Sequence, residues 1–115
     1  MDGVSLVGQP AGAGWAVGPA RLVRTEAELN RLRPGDVLVT RVPGPALAAV
    51  LPRVVAVVAE LGGSTSHLAA LARDRRIPAV LGAGDATRRI PEGARVVVDG
   101  TRGLVHVERT DPRSG

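Results

Sequence analysis

The residues best suited to chemistry lie in one hexapeptide, Gly62-Gly63-Ser64-Thr65-Ser66-His67. His67 supplies an imidazole whose neutral form is a competent nucleophile near neutral pH. Ser64, Thr65 and Ser66 place three hydroxyls directly before it, each able to donate to phosphoryl oxygens. Gly62 and Gly63 let the backbone turn sharply and approach a partner closely. The apolar run Val54-Val55-Ala56-Val57-Val58 precedes the hexapeptide, and Leu68-Ala69-Ala70-Leu71-Ala72-Arg73-Asp74-Arg75-Arg76 comes after it. It therefore falls between a strand and a helix start, where α/β proteins commonly hold ligands. Unpaired amides and partial positive charge at a helix N-terminus suit an anion such as phosphate. Two readings are open. In one, His67 accepts a phosphoryl group and the helix end neutralises the oxygens of the adduct. In the other, a Ser or Thr caps a helix whose first turn carries an ordinary hydrogen-bonded histidine. On spacing alone the second is more economical, because capped Ser/Thr starts are common.

Other chemistries find less material. His67 and His106 are the 2 histidines of the chain, so a metal site would need Asp or Glu for most of its ligands. A nucleophilic serine lacks the Gly-x-Ser-x-Gly strand-turn signal. His106, between Val105 and Val107, reads as a surface-facing strand residue. Arg73, Arg75, Arg76, Arg88 and Arg89 could form a patch for phosphates or acidic partners, although a solvated helix end is the more ordinary reading. Asp85 reads as a helix N-cap and Asp99 as a turn residue. Trp15 reads as a packing anchor near the N-terminal strand.

The elements that must position the hexapeptide emerge from pattern and punctuation. Residues 14–23 predict a bent or edge strand, interrupted by Gly18 and Pro19. Thr25 and Glu28 form a capping-box pattern that starts a helix over about 25–33, ended by Pro34-Gly35. Residues 36–40 predict a strand, and Pro45 opens a short Ala/Leu helix through about residue 51. The run 54–58 is apolar without alternation, which predicts a strand covered on both faces at the centre of the sheet. Ser64 or Thr65 caps the next helix, Pro78 closes it, and 79–81 form another strand. A helical turn runs from Asp85 to about residue 89. Residues 95–98 and 104–107 flank the loop 99–103 as a hairpin, and the tail 111–115 is expected to fray.

Composition bounds these readings. At 115 residues the chain has room for one compact domain, taken as residues 1–110. Hydrophobic residues make up 44% and charged residues 23%, ordinary values for a chain that folds. Trp15 is the sole aromatic residue, so base stacking has almost no material, and nucleic-acid binding through the Arg excess is kept only as the weakest reading, one that predicts steeply salt-dependent binding. Every one of the 15 cations is Arg, and the net charge is only +4; the high isoelectric point reflects the missing Lys, Tyr and Cys more than strong basicity. The absence of Cys removes disulfides and thiolate chemistry and is compatible with a reducing cytosol. No segment is long and apolar enough to span a bilayer, and no leader pattern opens the chain; a cytoplasmic location is expected.

The hexapeptide and its continuation through Ile77-Pro78-Ala79-Val80-Leu81-Gly82 resemble the phosphohistidine signature of the phosphoenolpyruvate (PEP)-utilising enzymes. That family includes pyruvate phosphate dikinase, PEP synthase, the first enzyme of the sugar phosphotransferase system and the rifampicin phosphotransferases. Gly84-Asp85-Ala86-Thr87 is similar to PEP synthase, and Glu92-Gly93 through Asp99-Gly100 and Gly103 to the family's closing hairpin. The resemblance covers roughly residues 6–108. It implies an α/β fold, a swivelling β/β/α domain with a mixed sheet, helices on one side and a C-terminal β-hairpin. It implies that His67 is the phosphoryl acceptor with Thr65 beside it, and that Gly62, Gly63, Ser64, Ser66 and Arg73 position the phosphoryl group. The implied partners are an ATP-binding domain and a barrel domain that binds PEP or pyruvate, in the same chain or on others. Magnesium is expected on those partner sites, with no metal and no cofactor held by this domain. Two loops depart from the family: Pro43-Gly44-Pro45-Ala46 replaces a Thr-x-Pro-Asp type loop, and Gly12-Ala13-Gly14 replaces Ser-Pro-Gly. These departures motivate the alternative of a non-catalytic docking or regulatory module that kept the fold.

Overall fold

Period-two alternation in one long strand organises the molecule. The computed structural model describes residues 3–42, 44–63 and 65–108. In it, β3 (Trp15–Val23) turns Ala16, Gly18, Ala20 and Leu22 to one face and Trp15, Val17, Pro19 and Arg21 to the other. Its first half, 15–19, pairs antiparallel with β7 (Arg95–Asp99), and its second half, 20–23, pairs parallel with β4 (Val37–Thr40). Gly18 sits at the changeover. A Cβ there would meet the Gly35 carbonyl at 2.4 Å, so the side chain is omitted where two backbones press together.

Around β3 the strand order is β1-β8-β7-β3-β4-β5-β6-β2, with β1 (Gly3–Val7), β2 (Gln9–Gly12), β5 (Ala56–Ala59), β6 (Ala79–Leu81) and β8 (Leu104–Glu108). The strands β3, β4, β5 and β6 run parallel, while β1, β8 and β7 form an antiparallel wing and β2 caps the far edge antiparallel to β6. The wing curls over one face of the parallel strands. There Leu6, Val96, Val98, Val105 and Val107 pack against Val37, Val39, Ala56, Val58 and Val80. On the opposite face Leu38, Val57, Ala59 and Leu81 meet Leu47, Leu51, Leu68, Ala69 and Ala72. The result is the expected mixed-sheet β/β/α arrangement. β5 is covered on both faces, although it sits one strand off the middle of the sheet.

The helical side is built mostly of tight 3₁₀ turns. Glu26–Arg31, Pro45–Ala49 and Leu51–Arg53 are 3₁₀ segments, where the sequence pattern predicts helices over 25–33 and 45–51. Pro45 and Pro52 bracket the second segment closely and interrupt an i→i−4 ladder there, whereas no proline falls within 26–33 and nothing in the structure explains the 3₁₀ form of Glu26–Arg31. The Glu28 carboxylate still accepts from the Thr25 amide at 3.1 Å. Among the described residues the α-helices are α1 (His67–Asp74) and α2 (Ala86–Arg89). α2 lies on the other side of the parallel strands, with Ala86 and Ile90 in the core beneath the wing.

Several expectations need correction. Trp15 is not a packing anchor: it is 68% exposed, because alternation gives the inward position to Ala16. β1 and β2 are not among the expected elements: Gly-Val-Ser-Leu-Val is short but has strand-forming residues, whereas Gln-Pro-Ala-Gly is a poor strand by propensity and is recruited by pairing with β6. Asp85 is the N-cap residue of α2, which ends at Arg89 as expected, but it is in a left-handed conformation, φ +44°, and its side chain makes no capping hydrogen bond. Asp99 does serve its turn, its Oδ1 accepting from the amides of Thr101 and Arg102 at 3.1 and 3.0 Å. The 111–115 tail lies outside the described residues. Among the described residues no helix is long and apolar enough to cross a membrane.

Candidate functional site

The hexapeptide begins where β5 ends, at the C-terminal edge of the parallel strands. The ladder persists past the strand: Glu60 N donates to Thr40 O at 3.1 Å and Leu61 N to Arg41 O at 3.0 Å. Gly62 then adopts φ +102°, a conformation that only glycine takes without strain. The Gly63 carbonyl accepts from Ser66 N at 3.0 Å, which closes a turn and aims the chain into α1. Ser64 lies outside the described residues.

Ser66 is the N-cap of α1, its Oγ accepting from Ala69 N at 3.2 Å. The cap falls one or two residues later than expected, because the Gly63 turn uses up residues 63–66. His67 is thereby the first residue of α1 and is exposed, whereas Leu68, Ala69 and Ala72 on the same helix are buried. Burying that face fixes which way the first turn points. Beside His67 is a depression of about 160 Å³ lined by Gly44, Pro45, Ser66, Leu68 and Leu71. The altered 43–46 loop, whose Pro43 lies outside the described residues, therefore forms part of the wall next to the imidazole. Thr65 is exposed.

Arg73 is placed differently from the other candidates. It lies six residues beyond His67, roughly 9 Å along the helix axis, and its Nη1 donates to Ala11 O at 3.1 Å, tying α1 to β2. His106 is an exposed strand residue whose Nδ1 lies 3.3 Å from Ser5 Oγ.

Glu60 is the residue that sequence reading missed. Its side chain is only 11% exposed. One carboxylate oxygen accepts from Thr87 N at 2.7 Å and Thr87 Oγ1 at 2.6 Å, and Arg41 Nε stands 3.7 Å from the other. Burial pushes this carboxyl up, but the Thr87 hydrogen bonds, Arg41 and Arg88 outweigh it and hold Glu60 below the usual carboxylate range. The pair joins the strand that leads into the hexapeptide to α2, across 27 residues of sequence. The only available signal was Gly84-Asp85-Ala86-Thr87 itself, whose threonine now has a partner.

A mixed-sheet β/β/α domain with an exposed histidine opening its first helix is the class of protein that fold and site together define. Residues 32–103 match the family model of the PEP-utilising enzyme mobile domain. The PEP synthase of Escherichia coli is 39% identical over 104 residues, covering 88% of this chain and 13% of that protein. A solution structure of Enzyme I is 36% identical with a TM-score of 0.61, over 74% of this chain and 35% of that one. The aconitase X of Thermococcus kodakaraensis, at 20% identity and a TM-score of 0.69, covers 92% of this chain and 99% of its own and shares the fold alone. The chain belongs to the PEP-utilising enzyme family and corresponds to its mobile domain. It spans about 13% of the length of the PEP synthases it matches first.

Proposed function

We propose that the domain is a phosphocarrier with His67 as the acceptor. The observation that carries this reading is the exposed imidazole at the first position of α1, on a loop pinned at both ends, in a chain of this family. The unprotonated ring nitrogen attacks the donor's phosphorus; an N–P bond forms as the P–O bond to the leaving group breaks, its electron pair passing to the leaving oxygen. On delivery an acceptor oxygen bonds to phosphorus, the N–P bond breaks and its pair returns to the ring. Such transfer is chiefly positioning and charge neutralisation. Ser66 contributes by holding the first turn, and Thr65 by offering an exposed hydroxyl beside the imidazole.

The donor and acceptor sites belong to partners: a nucleotide-binding domain and a PEP- or pyruvate-binding barrel, in one longer chain or on several, in the cytoplasm. Magnesium is assigned to those sites.

The test is intact-mass and site mapping at alkaline pH, which protects the N–P bond, after incubation with host lysate and either ATP or PEP. Phosphate on His67, lost in His67→Ala with an unchanged circular dichroism spectrum, is the expected result. Phosphate persisting on His67→Ala overturns the assignment. No phosphate from either donor, with a known phosphocarrier labelled in the same lysate, favours the docking module that the Pro43-Gly44-Pro45-Ala46 loop suggests.

A further inference from the structure

Among the described arginines, two sets differ in how tightly they are held. Arg21 and Arg31 are consumed: Arg21 reaches Asp36 at 3.1 Å and Glu92 at 2.8 Å, and Arg31 reaches Glu92 at 2.5 Å. The Asp36 hydrogen bond, with Glu92, raises the Arg21 pKa further against the opposing effect of burial. Arg24, Arg41 and Arg88 are held loosely instead. Arg24 Nη2 lies 3.5 Å from Thr87 O, Arg41 Nε 3.7 Å from Glu60 and Arg88 Nη1 3.7 Å from Asp85. All are exposed, Arg41 at 72% and Arg88 at 81% of the side chain.

These three come from separate segments, following β3, following β4 and within α2, yet they line one concavity of about 430 Å³ together with Glu60, Asp85 and Thr87. Its place in the fold is that of a ligand crevice. Arg24, Arg41 and Glu60 directly follow β3, β4 and β5, and Asp85, Thr87 and Arg88 stand at or within α2, so the cleft lies at the carboxyl ends of the parallel strands, where open α/β sheets hold ligands. Glu60 and Asp85 offset part of this charge, at 3.7 Å from Arg41 and Arg88 respectively, and the three guanidinium groups still outnumber the two carboxylates of the lining. The volume falls in the range of small-ligand sites. Guanidinium groups with unused donors, on three sides of such a cleft, match the charge and fork geometry of phosphate oxygens.

We propose that this cleft is a binding site for a diphosphate-bearing small molecule, with Arg24, Arg41 and Arg88 as its donors. It is a second site, distinct from the imidazole, and does not depend on His67 accepting a phosphoryl group. The cleft is nevertheless continuous with the surface beside His67. Arg24 also borders a depression of about 150 Å³ that reaches Gly44, and Gly44 borders the depression at His67.

The experiment is an NMR titration of the ¹⁵N-labelled chain with sodium pyrophosphate, and in parallel with orthophosphate and a hexaglutamate peptide. Saturable shifts of the amides of Arg24, Arg41, Glu60, Thr87 and Arg88 with pyrophosphate are expected, at least tenfold tighter than with orthophosphate. The double variant Arg41→Ala/Arg88→Ala should weaken pyrophosphate binding by tenfold or more while leaving the remaining spectrum in place. His67→Ala should leave the pyrophosphate affinity within twofold. Unsaturable shifts spread over all arginine-bearing surfaces, or undiminished affinity in the double variant, overturn the proposal. Tighter binding of hexaglutamate than of pyrophosphate also overturns it, in favour of a surface for an acidic protein.

Discussion

The parallel strands β4, β5 and β6 and the antiparallel wing β1, β8 and β7 are built from the same few aliphatic residues, yet they differ in what covers them. Every residue of β4, β5 and β6 is buried, under the helical segments on one side and the wing on the other. The wing has one buried face and one open one. In register across it run Trp15, Asp99, Leu104 and Val7, of which Trp15 is 68%, Val7 71% and Leu104 38% exposed. His67, its paired glycines and Glu60 follow β5, a strand covered on both faces. A rigid edge is what a reactive imidazole requires if its position is to be reproducible.

The sharpest way to break this contrast is to charge both regions. Val58→Asp places an unpaired carboxylate at a fully buried position of β5. The expected cost is on the order of 5 kcal/mol or more, comparable to the whole stability of a small domain, so the variant should show no cooperative thermal transition. Val7→Asp, at an exposed wing position, should melt like the parent, within about 0.5 kcal/mol. Equal damage from both would mean that the wing's outer face is covered in solution.

An intermediate effect is expected at the clamp between the strand edge and α2. Thr87→Val removes one hydrogen bond to Glu60 at nearly constant volume and should cost about 1–3 kcal/mol, measured by urea unfolding. Because folding lowers the Glu60 pKa from its ordinary 4.5, its stabilisation is fully present above that value. It is lost as pH falls through the lower folded value. Glu60→Gln should therefore be less stable than the parent at pH 7, with the gap narrowing in acid. A gap unchanged down to about pH 3, below the ordinary carboxylate range, would deny the carboxylate this role.

The smallest effect is expected at Trp15. Trp15→Ala should shift the melting temperature by less than about 3 °C, corresponding to under about 0.5 kcal/mol. A larger drop would show that the indole anchors something after all.

Legibility in the sequence tracks the same division. Val37–Thr40, Ala56–Ala59 and Ala79–Leu81 announce themselves because doubly buried strands are continuous apolar runs, and the Asp99–Gly103 loop announces its hairpin. β2 does not, because Gln9–Gly12 becomes a strand only when β6 offers it an edge. At the site, His67 and the glycines are visible as a local pattern. Glu60 is not, since its meaning depends on Thr87, far along the chain and brought close by the parallel crossover. Trp15 misleads for a related reason: size suggests an anchor, while its phase along β3 points it outward.

The pairing of Gly3 with Glu108 carries a mechanical implication. Cross-strand partners in an antiparallel pair have Cα atoms about 5 Å apart, so the backbone enters and leaves the fold at nearly one point. A domain mounted by two adjacent tethers has a pivot rather than two fixed ends.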